Sequence, residues 1–259
     1  MILDRIIETK REEVARLKEE TDVSRLAETI SGLAPCRDFR GAVSGNSCAV
    51  IAEVKCASPS RGRLVGHFDP QAIAKVYEQN GAAAISVLTD ETYFLGRKDD
   101  LTQIKNTVQI PVLRKDFIID PLQVYETRAI GADAVLLIVR VLGHRLSEFI
   151  SLAGDLGLSS LVEVHSQKEL DTALAADAQI IGINNRNLDT FVTDIKTSRD
   201  LKKMIPADKT VVAESALKDR ADIEYLMEAD VHAFLIGEGL VTAKDMGRKL
   251  QALRGEVRK

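Results

Sequence analysis

The feature that most constrains this chain is an alternation. Short apolar runs rich in Val, Ile and Ala recur at residues 49–54, 83–88, 111–113, 134–139, 160–164, 180–183, 210–213 and 233–236, separated by longer amphipathic stretches. Runs of this length that are apolar throughout read as strands buried on both faces, as in a parallel sheet covered by helices. The stretches between them carry helix signals. Asp69-Pro70 and Asp120-Pro121 each read as an N-cap followed by proline in the first turn, and Gly81 and Gly131 stand where a helix should stop. An internal echo supports the parsing: Asn80-Gly81-Ala82-Ala83-Ala84-Ile85 is similar to Ile130-Gly131-Ala132-Asp133-Ala134-Val135.

About eight strand–helix units in 259 residues predict an α/β fold, a closed (β/α)8 TIM barrel, typically around 250 residues. An open doubly wound sheet is the alternative, and no GxGxxG turn follows the first run to support it. The expected organisation is a single barrel domain, with residues 48–259 forming the barrel and 1–47 a short helical N-terminal extension. In that extension Ile2, Leu3, Ile6, Ile7, Val14 and Leu17 form a helical stripe whose charged face is expected in solvent. A second short helix is expected near residues 24–30, followed by a looser segment.

Composition excludes several function classes. A net charge of −4 lacks the basic balance of a nucleic-acid binder. Asp4, Arg5, Glu8 and Lys10 are unlike a secretory leader, and no apolar run is long enough to cross a membrane, so a soluble cytoplasmic protein is expected. Cys36, Cys48 and Cys56 show no CxxC pairing and are expected as reduced thiols; the four histidines have no metal-ligand spacing, so no metal is expected.

In a barrel of this type the chemistry sits at the C-terminal ends of the strands. Here five runs end in ionisable or amide side chains: Glu53 and Lys55, Lys115, Glu163, Asn184, and Glu214. Glu53 and Lys55 are two residues apart and share a face. Charged groups are rarely buried unless paired, so each could be an ordinary salt bridge capping the barrel. Convergence on one rim favours an acid–base set whose pKa values apolar walls would shift. The last two loops contain Ser215-Ala216 and Gly237-Glu238-Gly239, where backbone N–H groups could hold a phosphate. The first loop, 57–62, adds Ser58, Ser60 and Arg61 on the same rim.

Taken in order, Glu53-Val54-Lys55, Ala57-Ser58-Pro59-Ser60, Leu113-Arg114-Lys115-Asp116-Phe117, Val162-Glu163-Val164-His165, Gly182-Ile183-Asn184-Asn185-Arg186-Asn187-Leu188 and Glu214-Ser215 make the chain resemble the indole-3-glycerol phosphate synthase family. The resemblance implies closure of 1-(2-carboxyphenylamino)-1-deoxyribulose 5-phosphate to indole-3-glycerol phosphate, with loss of carbon dioxide and water. It implies a small phosphorylated substrate, no cofactor and no metal, and a monomer is expected. Lys115 is then the candidate acid and Glu163 the base or cation stabiliser. Lys55 would meet the substrate carboxylate or give a second proton, with Glu53 orienting it. Asn184 and Glu214 would hold the ribulose hydroxyls and the lysines. Arg186 would face the anthranilate carboxylate; Pro59, Phe117, Leu137 and Leu188 would pack on the ring. Ser58, Ser215, Ala216, Gly237, Glu238 and Gly239 would line the phosphate end. Which lysine is the principal acid stays open.

Three positions depart from the family pattern. Ala216 stands where glycine is expected, and its methyl should crowd a phosphate or exclude a positive φ. Cys56 replaces a basic residue, and Gly239 a small hydroxyl residue. Cys56 admits a reading as phosphoribosylanthranilate isomerase, which uses a cysteine on its first strand and an aspartate on its sixth. The sixth run here offers Asn184, and Cys56 faces away from Lys55. A non-catalytic phosphate-binding barrel is the reading from another class; the intact acid–base set argues against it.

Overall fold

The computed structural model describes residues 2–45, 48–59, 61–187 and 192–256. Eight parallel strands close into a barrel: β1 (Ala49–Val54), β2 (Ala84–Leu88), β3 (Val112–Lys115), β4 (Ala134–Ile138), β5 (Ser159–Val164), β6 (Ile180–Asn184), β7 (Thr210–Glu214) and β8 (Ala233–Ile236). β1 pairs with β8 on one side and β2 on the other, which closes the sheet. The register sets Glu53 beside Ser86 and Asn184 beside Glu214.

Every expected apolar run is a strand, and the alternation of side chains divides the core into two layers. Val50, Ala52, Val135, Leu137, Val162, Ile181 and Phe234 point outward and pack under the helices. Ile51, Leu113, Leu136, Leu161, Ile180, Val212 and Leu235 point inward and fill the barrel. The sheet can therefore be apolar on both faces, since water reaches neither.

Ahead of the barrel run α1 (Ile2–Glu20), α2 (Val23–Ser31) and α3 (Phe39–Val43). α3 carries Phe39 and Val43 into the inner layer and closes the N-terminal end of the barrel. The main crossover helices are α4 (Pro70–Gln79), α5 (Glu91–Phe94), α6 (Lys98–Thr107), α7 (Pro121–Ala129), α8 (Val139–Leu142), α9 (Leu146–Asp155), α10 (Gln167–Ala175), α11 (Lys196–Lys202) and α12 (Arg220–Met227). After β8 come α13 (Glu238–Val241) and α14 (Met246–Arg254). Asp69 and Asp120 cap α4 and α7, each with proline in the first turn. Gly81 and Gly131 follow those helices at φ 87° and 93°, a conformation that costs a residue with a side chain about 1–2 kcal/mol. No described helix is long and apolar enough to cross a membrane.

The charged face of α1 does not lie wholly in solvent as expected. Lys10 is 1% exposed, with Nζ 2.8 Å from Asp90 and 2.9 Å from Asp116, the residues just beyond β2 and β3. A charge so buried needs such partners. They clamp α1 across the C-terminal end of the barrel.

Candidate active site

The inward-facing residues change character toward the C-terminal end of the barrel. Above the apolar layer, each odd-numbered strand contributes one charged side chain: Glu53 from β1, Lys115 from β3, Glu163 from β5 and Glu214 from β7. Lys115 Nζ lies 3.1 Å from Glu163 Oε2 and 3.4 Å from Glu214 Oε2. Lys55 Nζ lies 2.7 Å from Glu53 Oε1. Two small residues make this crowding possible. A Cβ at Gly182 would stand 2.2 Å from Glu214 Oε1, and one at Gly237 would stand 2.2 Å from Glu53 Oε1.

Three carboxylates around one buried ammonium set the electrostatics. Burial alone would lower the pKa of Lys115, but Glu163, Glu214 and Glu53 outweigh it and raise it above the ordinary value. Glu163 is also penalised by burial, yet Lys115, His165 and a hydrogen bond from Asn184 hold its carboxyl below the ordinary value. Glu214 goes the other way. Burial, only partly offset by Lys115, together with repulsion from Glu163 and Glu53, pushes it up to about 7. Its Oε1 has no hydrogen-bond partner among the described residues. The site thus pairs a firmly held ammonium with one carboxyl poised near neutrality, a combination suited to proton transfer.

These groups open into a cavity of about 540 Å³, within the range of small-molecule sites. One wall carries Phe94 and Phe117, with ring centroids 6.2 Å apart. Ile2, Leu3 and Ile6 of α1 form part of the mouth. Ser58 and Pro59 belong to a short hairpin in which Ala57–Ser58 pairs with Gly62–Arg63. Ser58 is buried, lines the cavity, and its Oγ has no hydrogen-bond partner among the described residues.

At the far end the cavity touches Ser215, Ala216, Gly237, Glu238 and Gly239. Ala216 does not exclude a positive φ as expected: Ser215 and Ala216 adopt φ 65° and 63°. The loop is held there by Asn185, whose Nδ2 donates to the Ser215 carbonyl at 3.3 Å and whose Oδ1 accepts from Ser198 N and Oγ. The Glu238 carboxylate turns to Arg61, with Oε1 3.1 Å from Nε, so the side chain is already engaged by a cation.

The structure brings together Glu53, Lys55, Lys115, Glu163, Asn184 and Glu214, with Ser58, Pro59, Phe117, Arg186, Ser215, Ala216, Gly237, Glu238 and Gly239 around them. Leu137 is a correction. It points outward into the helix layer, and its neighbours Leu136 and Ile138 line the cavity instead, as strand alternation requires. Leu188 and Ser60 lie outside the described residues. Cys56 is buried and off the cavity wall, on the face opposite Lys55. Sequence reasoning missed Phe94, Leu136, Ile138 and the α1 residues. The alternation in β4 could have found the second and third; nothing local marks the others.

Comparison with known proteins bears on the chain as a whole. A family profile described as indole-3-glycerol phosphate synthase matches residues 3–253. The indole-3-glycerol phosphate synthase of Desulforamulus reducens is 46% identical over 99% of this chain and 100% of its own length. That of Legionella pneumophila is 47% identical over 97% and 98%. Among solved structures, a thiamine phosphate pyrophosphorylase from Pyrococcus furiosus superposes with TM-score 0.62 at 15% identity, covering 81% of this chain and 95% of that one. At that identity it shows the barrel fold alone.

Proposed function

The chain belongs to the indole-3-glycerol phosphate synthase family, and on that premise we propose how its residues divide the work of closing the indole ring. The reaction converts 1-(2-carboxyphenylamino)-1-deoxyribulose 5-phosphate to indole-3-glycerol phosphate. The ring carbon bearing the carboxylate attacks the C2′ carbonyl, pushed by the anilino nitrogen lone pair. The carbonyl oxygen takes a proton and the nitrogen becomes iminium-like. Loss of carbon dioxide returns the electron pair of the broken C–C bond to the ring. The new hydroxyl leaves as water with a second proton, and a C1′ proton departs to a base.

Lys115 donates to the carbonyl oxygen. The carboxylates that hold its proton keep it charged and hydrogen-bonding until the oxygen becomes an alkoxide, a far stronger base than they are. Glu163, held ionised, faces the developing cation. Glu214, near neutrality, returns protons at the dehydration step or holds a ribulose hydroxyl together with Asn184. Glu53 orients Lys55, which meets the substrate carboxylate or supplies the second proton; Arg186 lines the same cavity and faces the anthranilate carboxylate. Pro59 and Phe117 pack on the anthranilate ring, and Ser58 with the 215–217 and 237–239 segments takes the phosphate.

The observation that carries this reading is the Lys115 ammonium between Glu163 and Glu214 at 3.1 and 3.4 Å, on the floor of a cavity of substrate size. The test is indole-fluorescence turnover with the carboxyphenylamino-deoxyribulose phosphate in buffer containing EDTA. The chain has no tryptophan, so the background is quiet. Product formation is expected. Substrate binding without turnover would replace this reading with a non-catalytic phosphate-binding barrel.

A further inference from the structure

His165 stands behind Glu163, off the cavity wall. Its ring is 10% exposed and sits between two carboxylates. Nδ1 lies 3.2 Å from Glu169 Oε2, and the same oxygen accepts the His165 main-chain N–H at 2.7 Å. Glu169 is itself fixed in the first turn of α10. On the other side, Nε2 lies 3.3 Å from Glu163 Oε1, the oxygen that Lys115 does not use. That approach is not aligned as a hydrogen bond, and Nε2 has no other hydrogen-bond partner among the described residues.

This geometry poses a proton-counting problem. A neutral imidazole carries one N–H. Given to Glu169, it leaves the Nε2 lone pair facing a Glu163 oxygen, which repels while Glu163 is ionised. An imidazolium donates to Glu169 through Nδ1 and, as a cation 3.3 Å from Glu163 Oε1, turns the repulsion into attraction.

We propose that His165 is a positioning residue for the ring closure: as an imidazolium between Glu169 and Glu163, it keeps Glu163 ionised, with Oε1 held from behind and Oε2 aimed at Lys115 and the substrate.

The proposal rests on the reading of Glu163 given above. The charged groups that reach the ring are Glu163 on its own strand, Glu169 on α10 and Glu214 on β7. Burial opposes protonation, but these carboxylates outweigh it and raise His165 above its ordinary 6.5. Deprotonation therefore falls on the alkaline side of that value, where the bridge is lost and kcat should decline. KM should change little, because the ring does not touch the cavity.

The experiment is the pH profile of kcat and KM for the wild type, His165→Gln, His165→Ala and Glu169→Gln. His165→Ala should lower kcat about tenfold, the equivalent of one hydrogen bond to a charged group, with KM within about twofold. His165→Gln, whose amide donates at any pH, should recover most of that loss and abolish the His-linked alkaline decline. Glu169→Gln should move the decline to lower pH, and it carries the test alone if the His165 variants do not fold. An alkaline decline unmoved in Glu169→Gln, or unchanged in His165→Gln, overturns the proposal. So does a His165→Ala variant that raises KM with kcat intact. Glu163→Gln separates the two readings. If it retains turnover, the assignment of Glu163 fails; if it is inactive while the His165 and Glu169 profiles match the wild type, only the role of His165 fails.

Discussion

Lys10 Nζ lies 2.9 Å from Asp116 Oδ1, so the N-terminal helix is bolted to the residue that follows Lys115. Asp116 is gripped from the other side by Arg114 at 3.1 Å, and Arg114 in turn holds Glu126 at 2.9 Å. Through this chain of buried charges, α1, β3 and α7 share one electrostatic joint. The same helix contributes Ile2, Leu3 and Ile6 to the cavity, so the joint ties the cavity lining to the buried charges beneath it.

Lys10→Met should destabilise the fold by about 3 kcal/mol, the low end for breaking a buried pair, because Asp116 keeps Arg114 and Thr89. KM should rise more than kcat falls, as α1 loosens over the cavity. Burial opposes ionisation of Asp116, but Arg114, Lys10 and the Thr89 hydrogen bond depress its carboxyl well below its ordinary 3.8. Burial likewise opposes the Lys10 ammonium, and Asp116 and Asp90 raise it above 10.5. A depressed acid stabilises above its unfolded value and a raised base below its own. The stability gap between wild type and variant should thus be full between about pH 4 and 10 and shrink in stronger acid; urea titrations across pH would show it.

Lys115→Ala should reduce turnover at least about a hundredfold, the lower range for general acid catalysis. It should also leave Glu163 and Glu214 buried without their shared cation. A loss under tenfold in steady-state assays would remove Lys115 from the role of acid.

Glu214→Gln isolates the carboxyl raised to about 7. A carboxyl raised on folding contributes stability that is present below its unfolded value of 4.5 and lost as pH rises through 7. The wild type should therefore lose stability relative to Glu214→Gln between pH 5 and 8, by at most about 3 kcal/mol at 1.36 kcal/mol per unit. Parallel Tm curves for the two proteins over that range would contradict the raised value.

Ala216 sits at φ 63° and lines the cavity. The left-handed conformation costs an alanine about 1–2 kcal/mol, and glycine gives back about 0.4–1 kcal/mol in unfolded-state entropy. Ala216→Gly should thus stabilise by about 0.5–1 kcal/mol. If the methyl also obstructs the phosphate, substrate and inorganic phosphate should bind more tightly. Unchanged affinity in a calorimetric titration would leave only the strain effect.

The strands were legible because burial on both faces leaves a mark that needs no partner: a continuous apolar run. The helix starts at Asp69 and Asp120 were legible for a similar reason, since a capping carboxylate and a first-turn proline act within a few residues. The convergence of Glu53, Lys55, Lys115, Glu163, Asn184 and Glu214 could also be read, because a charge at the end of an apolar strand has nowhere to go but a rim. Leu137 went astray by one position of strand alternation, and in β4 the inner face belongs to Leu136 and Ile138.

The amino-acid sequence by itself determined the barrel and the rim on which the ionisable strand ends gather, because these follow from local periodicity and from the cost of burying charge. Only the tertiary structure decided that Lys10 is buried, that Glu214 rather than Glu163 carries the raised pKa, that Ala216 is left-handed and that His165 backs Glu163. Each of these depends on distances between groups far apart in the chain, and electrostatic energy and backbone strain are set by those distances, not by sequence spacing.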